Sequence, residues 1–161
     1  MGIAHDLLSQ AFHLATYEGD KPTQASLRRA VSTAYYALFH LLTEDAASFW
    51  HGSPESATGV TRSFQHGSMK SVSMKFRSPI WHDWRGVPQP LPEELRRVAA
   101  VFADLQEERH IADYDNNEQW SSGEVIDLLQ AAARAFADWE SIRTHPMAGN
   151  YLLAMLLPKQ R

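Results

Sequence analysis

The sequence predicts an all-α protein, an up-and-down bundle of four to five helices with a long loop between the third and the fourth. Two observations predict it: apolar residues recur every three or four positions along most of the chain, and almost nothing reads as strand. Breaks bearing Gly and Pro separate the periodic runs. Ile3, Leu7, Leu8, Ala11, Leu14 and Ala15 recur at helical spacing, and Gly19-Asp20-Lys21-Pro22 ends that first helix. Thr23 is placed to cap the second, whose Leu27, Val31, Ala34, Tyr35, Leu38, Leu41 and Leu42 form one stripe that Ala30 and Ala37 widen. A helix apolar over so broad an arc belongs at the centre. Residues 50 to 63 are small and polar and read as a loop, and a weaker helix follows over roughly 64 to 76. Pro79, Pro88 and Pro90 punctuate the long loop, in which the aromatic surface of Trp81 and Trp84 beside His82-Asp83 is expected to tuck against the bundle or a partner. Pro92 suits a first helical turn and opens the helix that carries Arg109. Ser121 with Glu124 makes a capping box for a helix lined by Val125, Leu128, Leu129, Ala132, Phe136, Trp139 and Ile142. Pro146 breaks it. Residues 1–161 thus read as one domain, with 146–161 a short C-terminal helix, holding Tyr151 to Leu157, or a docking segment.

Composition narrows the function classes. A chain of 161 residues, 44% hydrophobic and 21% charged, can build one real core. Its formal net charge of -4 gives no global attraction for nucleic acid, so such binding needs a local basic patch. Arg28, Arg29, Arg62, Lys70, Lys75, Arg77 and Arg85 concentrate positive charge in the first half. They form such a patch if the fold brings some of them beside Arg109, and a solvated face otherwise. The lack of cysteine removes disulfides, thiolate nucleophiles and cysteine-ligated zinc. The eight histidines lack the paired spacing of a zinc site, and there is no Gly-rich phosphate loop, so neither metal nor cofactor is expected. No basic segment followed by an apolar run opens the chain, and the run Tyr151 to Leu157 is too short to cross a bilayer. The expectation is a cytoplasmic protein with no membrane partner.

The most informative stretch is Glu108-Arg109-His110-Ile111-Ala112-Asp113-Tyr114-Asp115. Arg109 continues the inward face set by Leu95, Val98, Phe102 and Leu105, and Asp113, four residues on, lies within reach of its guanidinium. A desolvated arginine has to be paired and hydrogen-bonded, so this cluster is either a tie between helices or the polar floor of a site.

Three blocks carry a family resemblance: Arg29 to His40 with Ser-x-x-Tyr-Tyr-Ala at its centre, His66-Gly67 with Phe76 ten residues on, and Arg109-His110-Ile111-Ala112-Asp113-Tyr114-Asp115. In that order they resemble the HEPN superfamily, and among its members the small stand-alone prokaryotic proteins with the Arg-x-x-Ala-Asp-Tyr-Asp pattern. The resemblance implies a helical bundle, usually a homodimer, found in toxin–antitoxin, antiviral and RNA-processing systems. Candidate partners it implies are RNA or a nucleotide, an antitoxin, or a nucleotidyltransferase. Many members are metal-independent endoribonucleases, in which an arginine stabilises phosphorane charge and a histidine four to six residues beyond does acid–base work at the dimer cleft. Here Tyr114, Asp115 and Asn116 stand five, six and seven residues after Arg109, and the histidine is missing. Tyrosine near its ordinary pKa is a poor base at neutral pH. His66, if the fold carries it to Arg109, would supply an imidazole, whereas the adjacent His110 points about 100° away on a helix.

The candidate catalytic residues are therefore Arg109, His66 and Tyr114, and the candidate binding residues Tyr36, Asp113, Asp115 and Arg29. Each has a plainer reading. Arg109 with Asp113 can be an inter-helix salt bridge, Tyr114 a core-edge aromatic, and His66 a local cap or turn. Tyr35 is expected to pack in the core while Tyr36 faces the arginine, and His40 is expected to be a satisfied buried histidine. The leading expectation is a HEPN-like nucleic-acid-associated protein, of a toxin–antitoxin or defence system, with a degenerate ribonuclease motif. The alternatives are an active endoribonuclease using Arg109 with His66, and a non-catalytic dimeric interaction module whose terminal Tyr151 to Leu157 run docks on a partner.

Overall fold

The computed structural model describes residues 2–50 and 52–157, and these form an all-α bundle with one small hairpin. In chain order the helices are α1 (Ile3–Thr16), α2 (Gln24–Trp50), α3 (Pro54–Arg62), α4 (His66–Phe76), α5 (Glu93–Tyr114), α6 (Ser122–Ile142) and α7 (Pro146–Leu156). Strands β1 (Ile80–His82) and β2 (Pro88–Pro90) lie between α4 and α5. Among the described residues no helix is long and apolar enough to cross a membrane.

The 27-residue α2 is the axle of the fold, about 40 Å long at the helical rise. It packs against α1, α3, α5, α6 and α7. Its whole expected stripe is buried, Leu27, Val31, Ala34, Tyr35, Leu38, Leu41 and Leu42 together with Ala30 and Ala37. Small residues let the neighbours close in: Ala4, Ala11 and Ala15 of α1 are buried with Ala99 and Ala103 of α5 and Ala132 and Ala135 of α6. The ends of the helices follow from local chemistry. Gly19 turns the chain at φ +73°. Thr23 Oγ1 accepts the amide of Ser26 at 3.2 Å and so starts α2. Ser121 and Glu124 form the expected reciprocal capping box at α6.

Polar ties fix the packing. From the first turns of α2, Arg28 donates to the carbonyls of Ala112 (2.9 Å), Asp115 (2.7 Å) and Glu118 (2.5 Å). Gln24 makes both amide bonds of a strand partner to Trp120, donating to its carbonyl and accepting from its N–H, each at 2.8 Å. These two side chains satisfy the exposed carbonyls at the end of α5 and hold the turn into α6. At the other end Asp45 accepts from Trp139 Nε1 at 2.6 Å and from Arg143 at 2.9 Å.

Several expectations need correction. Residues 50 to 63 are not simply a loop: Ser53 accepts the Ser56 amide at 3.1 Å and, with Pro54 behind it, starts α3. None of its residues is fully buried, which is why no apolar period marks it. The proline-rich segment holds a hairpin, because Asp83 accepts the amides of Arg85 and Val87, each at 2.9 Å, and Gly86 takes φ +77°. Arg85's guanidinium beside it, with these amides, holds the Asp83 carboxyl well below the usual range. Pro92, expected in the first turn of α5, is its N-cap, one residue ahead of that turn. His40 is half-exposed, not buried. Finally, α7 is not a free docking run: Tyr151, Leu152 and Met155 are buried, and Tyr151 exchanges a 2.6 Å hydroxyl bond with Ser73. Its ring continues an aromatic chain from Trp139 through Phe76 to Trp81. Residues 158–161 of the expected terminal segment lie outside the described residues.

Arg28→Ala strands three carbonyls at once and is expected to lower the unfolding free energy by about 2 kcal/mol. Arg28→Lys should recover only part, since an ammonium cannot span the three acceptors. Urea unfolding midpoints of the three proteins check both outcomes.

Candidate functional site

Three helices meet around Arg109. On α2, Ser32, Tyr35, Tyr36 and Phe39 share one face by their spacing of three, four and seven residues. His66 is the first residue of α4, and Arg109 and Asp113 stand one turn apart near the end of α5. Lys70 of α4 pairs with Glu107 of α5, which keeps the start of α4 over the arginine.

The Arg109 guanidinium lies 5.0 Å from the centroid of the Tyr35 ring and 5.7 Å from that of Tyr36, a cation–π arrangement on two faces. Its side chain is 13% exposed, so the charge is largely desolvated. Its only ionic partner among the described residues is Asp113, at 3.6 Å, too long for a good hydrogen bond. Its Nε is buried and has no hydrogen-bond partner among the described residues. Asp113 in turn receives a long 3.5 Å contact from Ser32 Oγ. A guanidinium with five donors, held by rings and by one distant carboxylate, is under-satisfied and suited to an oxyanion.

His66 stands at the edge of this group, stacked on Phe39 at 4.8 Å and bonded through Nδ1 to the Tyr35 hydroxyl at 2.5 Å. Burial, and then the positive charge of Arg109, push its pKa below the usual histidine value, so the imidazole is neutral at pH 7. Burial pushes the Tyr35 hydroxyl up, with Arg109 opposing, so it keeps its proton. A buried hydroxyl has to place that proton on an acceptor, and here the acceptor is Nδ1. The assigned tautomer therefore carries its own proton on Nε2. No Nε2 bond is present among the described residues. The site then offers one guanidinium and one imidazole N–H as donors.

The structure thus brings Arg109, His66, Tyr36 and Asp113 together and leaves the other candidates apart. Tyr114 is 68% exposed and rests on His110, with ring centroids 5.0 Å apart. It is five residues from Arg109, about 140° around the helix, and touches none of the cluster's rings. Asp115 is the C-cap of α5, its carbonyl bound by Arg28 and its carboxylate accepting the Asn117 amide at 2.9 Å. Arg29 is exposed on the Tyr36 side of α2 without an ion pair among the described residues. Tyr35, expected only to pack, is the residue that fixes His66, through a contact 31 residues away that no spacing within α2 signals. On the flank of α5 the field has the opposite sign: Glu108, Glu118, Glu124 and Asp127 line a hollow of about 380 Å³ with Trp120. Burial and then its acidic neighbours raise the Glu108 pKa. The charge on that flank repels an anion.

The depressed His66 pKa means that the unfolded chain binds the extra proton first. Stability is then expected to fall as pH drops below about 6.5 towards the lower folded value, and this loss should shrink in His66→Gln. Imidazole NMR titration should place His66 below its ordinary value, and Arg109→Met should raise it only partly, because burial is the larger cause. A His66 that titrates at its ordinary value in the native protein would contradict this account of the site. A scan against protein-family models, a search of curated proteins and a search of solved structures each find no match to the chain.

Proposed function

We propose that the protein binds RNA through a backbone phosphate held by Arg109 and the Nε2–H of His66, without cutting it. The carrying observation is the under-satisfied, largely desolvated guanidinium of Arg109 between Tyr35 and Tyr36. The half-buried Tyr36 offers a ring edge to a base beside that phosphate. The HEPN resemblance supports the same reading and adds a homodimer acting in a toxin–antitoxin or defence system, with an antitoxin or nucleotidyltransferase as protein partner and a cytoplasmic setting. A general base needs a free lone pair facing the 2′-hydroxyl. The tautomer fixed by Tyr35 presents a proton there instead, and reversing it orphans a buried hydroxyl at a cost of about 1–3 kcal/mol.

A second reading, a metal-independent endoribonuclease, is favoured by one observation: a histidine does stand in the Arg109 cluster, stacked on Phe39 and bonded to Tyr35. Both readings are separated by one experiment on a labelled single-stranded RNA in chelator, following anisotropy and integrity together. The expected result is intact RNA bound by the wild type. Arg109→Ala should bind about tenfold or more weakly, with a salt slope smaller by about one phosphate contact. Tyr114→Phe should bind as the wild type does. Cleavage lost in both Arg109→Ala and His66→Ala would establish the second reading. Binding unchanged by Arg109→Ala would remove the phosphate role and leave Arg109 and Asp113 as a tie between helices.

A further inference from the structure

The hairpin has one chemically open edge. Leu91 donates to the Pro79 carbonyl and Asp83 to the Val87 carbonyl, each at 2.9 Å, with Trp81 opposite Gln89 between them. By antiparallel alternation the N–H and C=O groups of Ile80 and His82 then point away from β2. On the far side of β2 the corresponding residues are Pro88 and Pro90, which have no N–H to give. Only β1 can take another strand.

Beside β1 runs a groove of about 630 Å³, floored by Val72 and Phe76 of α4, walled by Trp81 and Trp84, and closed by Ala154 and Leu157 at the end of α7. Trp84 is 50% exposed and meets Trp81 edge-on at 4.9 Å, and Ile80 is 51% exposed. The large side chain of Trp84 is thus left half in water beside a hollow that no described residue fills, a combination that marks a docking surface. Charge selects the visitor. The lining carries Lys75, with no ion pair among the described residues, and Asp83, whose carboxylate is already taken by Arg85. The charge left free on the lining is therefore the positive one of Lys75.

We propose that this edge and groove bind an extended acidic segment of a partner protein, which adds a strand to β1. Its backbone pairs with Ile80 and His82, an apolar side chain enters between Phe76, Trp81 and Trp84, and a carboxylate reaches Lys75. The site is independent of the Arg109 cluster, since Ser68, Ser71 and Lys75 stand on the face of α4 opposite His66. A nucleic acid would use Lys75 and the tryptophans but has no use for the open backbone edge.

A random-peptide library displayed on phage and panned on the full chain tests this. The expected winners alternate apolar and acidic residues. A synthetic copy of the most enriched peptide should bind Lys75→Glu and Ile80→Pro about tenfold or more weakly than the wild type. Ile80→Pro gives β1 the blocked edge of β2 and leaves the Trp81–Gln89 pairing intact. Should Ile80→Pro lose its fold by circular dichroism, amide exchange decides instead: the peptide should slow exchange at Ile80 and His82 in the wild type. No enrichment, undiminished binding to folded Ile80→Pro, or unchanged exchange at both amides would overturn the proposal. So would self-association lost in Ile80→Pro, which assigns the edge to a second copy. Binding of a single-stranded RNA lost in Lys75→Glu but kept in Ile80→Pro would overturn it in favour of nucleic acid.

Discussion

The need to bury α2 on nearly every side is the constraint on which the rest of the structure depends. A helix with Leu27, Val31, Tyr35, Leu38 and Leu42 on one arc and three alanines widening it cannot rest on a single neighbour. Five helices gather round it, and their own apolar faces are satisfied in the same act. The strip of α2 left over, Ser32, Tyr36 and Phe39, is then forced into the seam between α4 and α5. There Arg109 arrives from one side and His66 from the other. The site is a by-product of how the central helix is covered, and its aromatic floor is continuous with the core through the Tyr35–Phe102 contact at 5.5 Å.

That origin explains the electrostatics. A guanidinium brought into such a seam gives up water, and the rings of Tyr35 and Tyr36 return only part of what hydration supplied. The Asp113 contact is too long to return the rest. A purely structural arginine in this protein looks different: Arg28 places its guanidinium on three carbonyls at 2.5 to 2.9 Å. The contrast between two arginines of the same bundle, one bonded to three carbonyls and one held by a single distant carboxylate, is the strongest physical reason to look for an external anion at Arg109.

Much of this was legible in the sequence because it rests on periodicity and on local pairs. The α2 stripe, the α5 run into Arg109, the Ser121–Glu124 cap and the Arg109–Asp113 pair are all set by spacings of three to seven residues. What stayed hidden depends on long-range contact or on elements too small to show a period. The nine residues of α3 bury none of their side chains fully, and the strands are three residues each, with prolines that argue against a ladder. The role of Tyr35 required knowing that α4 begins beside it, 31 residues on. Tyr114 shared a motif with Arg109, but five residues on a helix put the two on different faces.

The Arg28 and Gln24 ties have a consequence for how the molecule opens. They join residues 84 and 96 positions apart in the chain, whereas the α5–α6 pair they clasp is local. The clasp can therefore close only once the start of α2 and the end of α5 have been brought together, and it cannot loosen without freeing the start of the central helix. The amide of Trp120, donated to Gln24, is in this sense a reporter. Its hydrogen exchange should follow the opening of the whole bundle rather than the fraying of a surface turn, although it sits in the connection between two helices.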